Sequence, residues 1–312
     1  MALKIYSADN LSVHQWSVLT KNSLYYSPEF VSLWRTMKGR DIFFVEEEGE
    51  QLLAGMAGVI FGRSYLSRFQ SMPDGVYGGP CFSENCTVEQ KQRFIDSVLD
   101  WLRSKKTMRI DIHNPPEDIE NINFQRGDMP TRIIPIEEKS FEPPDNKIRK
   151  HIRTGKRRGA VVSIFNNAGS LDDFFKLVEE TSSRHSEKPR FSKEWFSGLL
   201  KISRDDNRIL WLKVTDENKL IGSRICFIDK SQILAWQYYS DREYSHLKPG
   251  YLMMDYIINY AIENKIGTIN LGWSPPEAET LLDYKKRWGG QENMLNYYTY
   301  FSRLGKLLYS RR

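Results

Sequence analysis

The feature that most constrains this fold is an order of elements that occurs twice along the chain. Residues 41–45 (DIFFV) and 52–61 (LLAGMAGVIF) are β-branched and aromatic runs separated by a polar turn, and residues 209–214 (ILWLKV) and 220–228 (LIGSRICFI) repeat that pattern. Such paired runs are typical of antiparallel hairpins. The sequence therefore predicts two hairpins in two related halves.

Each hairpin is followed by another strand-like run, a helix and a further strand. In the first half the helix spans 87–105, where Thr87 and Gln90 form a capping-box pattern, and the strand spans 108–113. In the second half the helix spans 251–264 and the strand 268–272. Helices also precede each hairpin, at 12–21 and 28–38 in the first half and at 147–158, 171–185 and 191–203 in the second. The expected fold is a duplicated α/β unit, with domains at 1–140 and 141–312.

Composition excludes several classes of protein. The 312 residues are 40% hydrophobic and 27% charged, which is ordinary for a globular chain and unlike a disordered or collagen-like one. Three cysteines are too few for a disulfide framework, so Cys81, Cys86 and Cys226 indicate a reducing compartment, although Cys81 and Cys86 are close enough in sequence to pair. The N-terminus has no apolar targeting stretch and no segment is long enough to cross a bilayer, so we expect a cytoplasmic protein.

Two segments carry enough positive charge to bind an anionic partner. Residues 147–158 (KIRKHIRTGKRR) contain seven Lys or Arg and no acid, and Ile148 and Ile152 lie four residues apart. This spacing predicts a helix with one buried edge and a cationic face, which suits nucleic-acid phosphates. Residues 304–312 mix leucine with Lys and Arg, which suits either a solvated terminal helix or a weak peripheral contact with a membrane.

The segment 245–250 (SHLKPG) links the strand 233–239 to the helix that begins near Tyr251. Free N–H groups at a helix start, backed by the helix dipole, bind phosphate oxygens, and His246 and Lys248 would add side-chain contacts. An ordinary junction with proline in the first helical turn has the same residues.

Several motifs, in this order, resemble the Fem family of nonribosomal aminoacyl- and acyltransferases, which carry two GNAT (acyl-CoA N-acyltransferase) folds. They are SPEFVSLW near the start, YGGP at 77–80, IRKHIRTGKRRGAVV at 148–162, TSSRH at 181–185, the run LKPGYLMMDYIINYAIENKIGTINLG at 247–272 and DYKKRWGG at 283–290. The resemblance implies two tandem GNAT-like domains of class α/β, each a mixed central sheet flanked by helices. It also implies that the first domain is structural or serves the acceptor, while the second binds the donor and carries the chemistry.

The resemblance also implies roles for individual residues. The family's segment aromatic-Lys-x-x-aromatic-Gly corresponds to Tyr284 and Lys285, and its lysine stabilises charge that develops in the transition state. Donor-binding positions would be His246, Lys248, Gly250 and Tyr251. Family members that act on cell-wall precursors grip a nucleotide diphosphate with one cation from each domain. The candidates for acceptor binding here are Lys38, Tyr77, Arg184 and Arg190.

The residues leave the base open and exclude some chemistries. The five histidines show no metal-ligand spacing, and no G-x-S-x-G or Walker-type motif is present. Asp111 and His113 share a strand face, where a satisfied pair is more common than a catalytic dyad, and Asp241 and Glu243 are further candidates. Cys226 lies in an apolar run and is expected in the core.

Three functional hypotheses follow. The first is a Fem-like enzyme that moves an aminoacyl or acyl group onto an amine of a peptidoglycan, other cell-envelope or polysaccharide precursor. Its donor would be aminoacyl-tRNA or acetyl-CoA, with no permanently bound cofactor and no metal. Its acceptor would be a small molecule or a lipid-linked or nucleotide-linked precursor. The second is a coenzyme A-dependent N-acetyltransferase, although one glycine in 245–250 is fewer than the usual coenzyme A loop has. The third is a catalytically silent binder of nucleic acid or another anionic polymer.

Overall fold

The chain folds into two compact units, unit 1 (Met1–Met129 with Met294–Arg312) and unit 2 (Pro130–Asn293). The computed structural model describes residues 3–115, 117–119, 121, 123–137, 141–275 and 277–309. The expected division after residue 140 differs from this boundary because the C-terminal strand returns to pair with a strand of unit 1. Residues 138–140, where the division was expected, lie outside the described residues.

Unit 1 is built from short helices, a hairpin, one long helix and further strands. Its elements are β1 (Lys4–Tyr6), α1 (Val13–Leu19), α2 (Pro28–Ser32), β2 (Arg40–Glu48), β3 (Gln51–Phe61), β4 (Arg68–Gln70), β5 (Pro80–Phe82), α3 (Val88–Ser104) and β6 (Arg109–His113). The strand β7 (Gln125–Pro135) then leads into unit 2.

Unit 2 repeats this order, with longer helices before its hairpin than unit 1 has. Its elements are α4 (Asn146–Arg157), β8 (Val161–Ile164), α5 (Leu171–Arg184), α6 (Lys193–Asp205), β9 (Ile209–Asp216), β10 (Lys219–Asp229), β11 (Gln232–Ser240), α7 (Pro249–Glu263), β12 (Thr268–Trp273) and α8 (Glu279–Arg287). The chain returns through β13 (Gln291–Phe301) to unit 1 and ends in α9 (Arg303–Tyr309).

The sheet of unit 1 has the strand order β1-β2-β3-β4-β6-β13, with β5 paired to β3. The predicted hairpin is present as β2 and β3, and β4 and β6 run parallel. Thr87 caps α3 with both hydrogen bonds of the capping box, as predicted, and the apolar face of α3 packs on the sheet through Phe94, Val98 and Leu102. The prediction of a mixed sheet covered by helices is confirmed for this unit.

The sheet of unit 2 has the order β7-β12-β11-β10-β9-β8. The second predicted hairpin is β9 and β10, and β10 pairs antiparallel with β11. The parallel strands β11 and β12 pair at only three positions, from Gln232 opposite Thr268 to Leu234 opposite Asn270. Because β11 continues to Ser240 without this partner, the carboxyl ends of the two strands diverge.

The basic segment forms α4, which has the predicted buried edge and cationic face. Ile148, Ile152 and Gly155 are buried, while the exposed face carries Lys147, Lys150, Arg153, Lys156, Arg157 and Arg158.

Most of the segment 283–290 forms the last part of α8. At the start of α5, the side chain of Ser170 makes no capping hydrogen bond.

The three cysteines are buried free thiols, so Cys81 and Cys86 do not pair. Over the described part of the chain, no helix has the length and apolar character that a bilayer crossing requires.

Candidate functional site

A network of buried polar groups lies at the end of β12, where this strand diverges from β11. Asn270 is fully buried, accepts a hydrogen bond from the Thr131 hydroxyl at 2.6 Å, and accepts another from the Gly272 N–H at 2.8 Å. Gly272 has a φ of +73°, a left-handed conformation that suits glycine. The carbonyl groups of Gly272 and Trp273 are thereby turned toward α8.

Lys285 lies on α8 and is buried at this strand end. The residue is only 8% exposed. Its Nζ atom donates hydrogen bonds to the Gly272 carbonyl at 2.6 Å and to the Trp273 carbonyl at 3.2 Å. Burial, and secondarily the positive charge of Arg224, lower the pKa of Lys285 to about 7. An amine with such a pKa exists in both protonation states near neutral pH, which is a property of many catalytic groups.

Arg224 is the charged neighbour of Lys285 and lies on β10. It is 7% exposed, and its guanidinium carbon lies 5.0 Å from the centre of the Tyr238 ring, which faces it from β11 in the sheet register. This cation–π contact is the kind that arginine makes where water is excluded.

The start of α7 differs from a free phosphate-binding helix end. The N–H groups of Tyr251 and Leu252 both donate to the Lys248 carbonyl. Pro249 has no N–H to offer. The expectation of free N–H groups is therefore wrong for Tyr251 and Leu252. The Tyr238 ring packs against Gly250, where a Cβ would lie 3.1 Å from the ring and its hydroxyl.

The loop before α7 is closed on itself. Asp241 accepts a hydrogen bond from the Glu243 N–H at 2.9 Å, and the Nδ1 atom of His246 lies 3.1 Å from the Glu243 carbonyl. Arg158, which follows α4, donates to the His246 carbonyl at 2.5 Å. Lys248 has a left-handed φ of +59° and lies close enough to His151 to contribute, after burial, to a lowered pKa of that imidazole.

Aromatic side chains pack the helices around the site. The Tyr251 ring lies 4.6 Å from His151 and 5.6 Å from Tyr284, and Tyr284 in turn lies 6.1 Å from Trp288. Burial raises the pKa of Tyr284 to about 12, so its hydroxyl stays neutral. Of the predicted catalytic and donor-binding residues, Lys285, Tyr284, Tyr251 and Gly250 come together here, whereas His246 is exposed on the adjoining loop.

The candidate acceptor residues fall in different units. Lys38, exposed with a left-handed φ of +61°, and Tyr77, whose ring lies 5.8 Å from Tyr25, belong to unit 1. Arg184 and Arg190 belong to unit 2 and are exposed. Arg184 donates to the Ser240 carbonyl at 2.8 Å, which places it at the carboxyl end of β11.

The acids considered as bases have structural partners. Asp111 is buried, accepts hydrogen bonds from Arg109 and Thr299, and lies on the same strand as His113, which contacts the Met72 carbonyl. Asp241 forms an ion pair of 3.1 Å with Lys219. Among the residues that the structure describes, no group of three His, Cys, Asp or Glu side chains comes together as a metal site would require.

Sequence reasoning missed Arg224, Tyr238 and Asn270. Arg224 had a visible signal, because an arginine inside the apolar run LIGSRICFI is unusual in a buried strand. Tyr238 and Asn270 had none, since tyrosine and asparagine occur widely in strands and strand ends.

Part of the chain that contains this site matches a known protein family. Residues 145–286 match the family model described as Acetyltransferase (GNAT) domain, a span that includes Arg224 and Lys285. A search of the sequence against curated proteins finds no significant match.

Three solved structures are similar over nearly the whole chain. FemX is 12% identical, with a TM-score of 0.70 over 100% of this chain and 99% of that one. L-PGS from Bacillus licheniformis is 10% identical, with a TM-score of 0.60 over 96% and 97%. A tandem GNAT protein from the clavulanic acid biosynthesis pathway is 9% identical, with a TM-score of 0.57 over 96% and 98%.

At these identities the similarity establishes the fold. The predicted pair of GNAT-like domains is confirmed by the two units and by the tandem structures that match them. The chain therefore has a tandem GNAT fold similar to that of FemX, and its residues 145–286 match the GNAT acetyltransferase domain family.

Proposed function

We propose that this protein is an acyltransferase that moves an aminoacyl or acyl group onto an amine of a cell-envelope or polysaccharide precursor. The observation that carries the proposal is the buried amine of Lys285, held by two carbonyl groups where β11 and β12 diverge in a GNAT fold. Ligands of open α/β sheets generally bind at the carboxyl ends of parallel strands.

Acyl transfer needs a stabilised oxyanion. The acceptor nitrogen forms a bond to the carbonyl carbon of the donor, and the electron pair of the C=O bond moves to oxygen. The intermediate then expels the thiolate or the ribose oxygen of the donor, and the proton lost by the amine ends on that leaving group. A charged Lys285 has three N–H donors, of which two bind carbonyls, so the third is available for the oxyanion. This contact strengthens as negative charge develops, which is the condition for faster chemistry.

Tyr284 is a positioning residue in this mechanism. Its ring packs between Tyr251 of α7 and Trp288, and thereby fixes the turn of α8 that presents Lys285. Gly250, Tyr251 and Lys248 would line the donor side from the start of α7, with His246 at its outer edge.

Aminoacyl-tRNA is the donor that the charge distribution favours. The exposed cations of α4 suit a polyphosphate backbone, and Arg158 of the same segment contacts the loop before α7. Coenzyme A binding is favoured less, because the N–H groups of Tyr251 and Leu252 at the start of α7 are already used within the protein. Acetyl-CoA remains the alternative donor.

The acceptor would be a small molecule or a lipid-linked or nucleotide-linked precursor. Arg184 and Arg190 of unit 2 are proposed to bind its charged groups, and the roles of Lys38 and Tyr77 of unit 1 stay predictions of the sequence. Arg184 has the strongest support, since it lies at the end of β11, where that strand has diverged from β12.

The test is a transfer assay with two radiolabelled donors, aminoacyl-tRNA and acetyl-CoA, and a panel of amino sugars and peptide amines from envelope precursors. We expect stable label in an acceptor amine from one donor. Binding of tRNA without transfer from either donor to any acceptor would instead support the catalytically silent binder.

A further inference from the structure

Arg224 is a buried cation without a compensating charge. It is 7% exposed, its Nε atom has no hydrogen-bond partner, and within the described residues no carboxylate forms an ion pair with it. A buried guanidinium is destabilising unless an anion or several acceptors face it. The aromatic face of Tyr238 is a weak substitute for either.

A second buried cation lies beside it. Lys285 is 8% exposed, and Arg224 is close enough to lower its pKa. The partners of Lys285 are two neutral carbonyl groups, and the neighbouring hydroxyls of Tyr238, Tyr251 and Tyr284 have pKa values raised by burial and so remain uncharged. Two like charges in a desolvated environment repel one another, which indicates that the site is completed by a negative ligand.

The position of the pair fits a ligand site. Arg224 lies opposite Tyr238 of β11 in the sheet register, and Lys285 binds the end of β12. The two cations therefore lie on either side of the point where the parallel strands diverge. Arg184 adds a third, exposed cation at the end of β11.

We propose that the guanidinium of Arg224 binds a phosphoryl group of a substrate in an anion subsite, to which Lys285 adds its positive charge while its third N–H serves the oxyanion. A phosphoryl group fits better than a carboxylate because it offers more acceptor oxygens and up to two negative charges to match an arginine fork and an ammonium. The inference rests on the proposed function only in assigning that phosphoryl group to a donor or acceptor of acyl transfer. Phosphate binding and transfer activity fail independently of one another, so the two proposals are distinguishable.

The test is the thermal stability of the protein in inorganic phosphate against chloride at equal ionic strength, with affinity from isothermal titration. We expect phosphate to raise the melting temperature of the wild type. Arg224→Met is expected to melt higher than the wild type in chloride, because the uncompensated charge is gone, and to lose the phosphate effect with at least about a tenfold loss of affinity. Arg224→Gln and Lys285→Met serve as second variants if the first folds poorly. Arg204→Met, an exposed arginine on α6, is the matched control and should keep the effect.

A phosphate effect that persists in Arg224→Met and Lys285→Met, or that is absent from the wild type, would overturn the proposal. Competition experiments, in which a candidate ligand displaces bound phosphate, then identify the source of the phosphoryl group. Displacement by coenzyme A would assign it to the donor, and displacement by a nucleoside diphosphate would assign it to the acceptor.

A separate surface of unit 1 combines exposed apolar side chains with cations. Three segments meet at Met108, whose N–H donates to the Ser67 carbonyl at 2.8 Å and whose carbonyl accepts from the Ser302 N–H at 2.9 Å. The segments are residues 61–68, 103–109 and 301–309, and we call their shared surface the apolar–basic face. Its exposed large hydrophobic residues are Tyr65, Leu66, Leu304, Leu307 and Leu308.

The charge of the apolar–basic face has one sign. None of the three segments contains Asp or Glu, and together they carry Arg63, Arg68, Lys105, Lys106, Arg303 and Lys306. They also carry Arg103 and Arg109, which form ion pairs with Asp100 and Asp111 outside the segments. Lys106 donates to the Tyr65 hydroxyl at 2.6 Å, which holds an aromatic ring and a cation together at the surface. Leucines, an interfacial aromatic residue and cations are the combination that binds anionic bilayer surfaces.

We infer that the apolar–basic face docks on the surface of an anionic lipid bilayer. The test is co-sedimentation with vesicles of phosphatidylcholine alone or mixed with phosphatidylglycerol. We expect binding to the anionic vesicles only, lost in the triple variant Leu304→Ser, Leu307→Ser and Leu308→Ser. The control is Val18→Ser with Val88→Ser, which removes two exposed apolar side chains outside the three segments. Equal binding by the triple variant, no vesicle binding by the wild type, or self-association abolished by the triple variant would each overturn the inference.

Discussion

The Nζ atom of Lys285 lies 2.6 Å from the carbonyl oxygen of Gly272, so the amine of α8 is fastened to the end of β12. Gly272 adopts its left-handed conformation with its N–H bound to the buried Asn270 side chain. The position of the amine therefore depends on a strand end that only a few residues define.

The buried amine should make stability depend on pH. The pKa of Lys285 is about 7 in the folded chain against an ordinary value of 10.5, so between these values the unfolded chain binds more protons. The free energy of unfolding of the wild type should therefore rise with pH across this window, relative to Lys285→Met, by up to about 1.4 kcal/mol per pH unit. Urea denaturation of both proteins at several pH values measures it. A difference that stays constant with pH would mean that Lys285 is not desolvated.

Gly272→Ala should affect the site as well as stability. An L-residue in the left-handed region costs about 1–2 kcal/mol, and a distorted strand end would release the carbonyl that holds Lys285. Gly159→Ala is a matched control, because Gly159 has a φ of +86° with open space around it. Both variants should lose similar stability in thermal or chemical denaturation, but only Gly272→Ala should lower transfer activity. Equal transfer activity in the two variants would show that the conformation of Gly272 does not affect the site.

The cationic face of α4 should determine the salt dependence of tRNA binding. Replacement of Lys150 or Arg153 by glutamine should lower the slope of log affinity against log salt by about 0.7–0.9 for each phosphate that the variant no longer neutralises. Lys201→Gln, on α6, is the control and should leave the slope unchanged. Filter binding at several salt concentrations gives the slopes. Unchanged slopes for the α4 variants would place tRNA elsewhere or exclude it.

Local patterns predicted the elements that local forces determine. Thr87 and Gln90 marked the start of α3 because both residues of a capping box lie within one turn. The alternating and β-branched runs marked both hairpins, whose strands are joined by short turns. The cationic helix α4 followed from two isoleucines four residues apart.

Long-range contacts determine what the sequence did not reveal. The return of β13 to β6 pairs Tyr298 with Ile112, and no local pattern encodes that partner. The helix α8 has a weak apolar pattern, and its Tyr284 packs against Tyr251 of α7. For the same reason the burial of Lys285 near Arg224 could not be predicted, although the motif made Lys285 a candidate.

The rate of transfer by Lys285→Met tests the proposed function most directly. The assay compares kcat for the wild type, Lys285→Met and Lys286→Met, in which the exposed neighbour is replaced, with donor binding measured in parallel. We predict that Lys285→Met loses about 100- to 1,000-fold in kcat, a loss larger than any change in its donor affinity, while Lys286→Met stays near the wild type. Transfer by Lys285→Met at the wild-type rate would contradict a role for this amine in the chemistry.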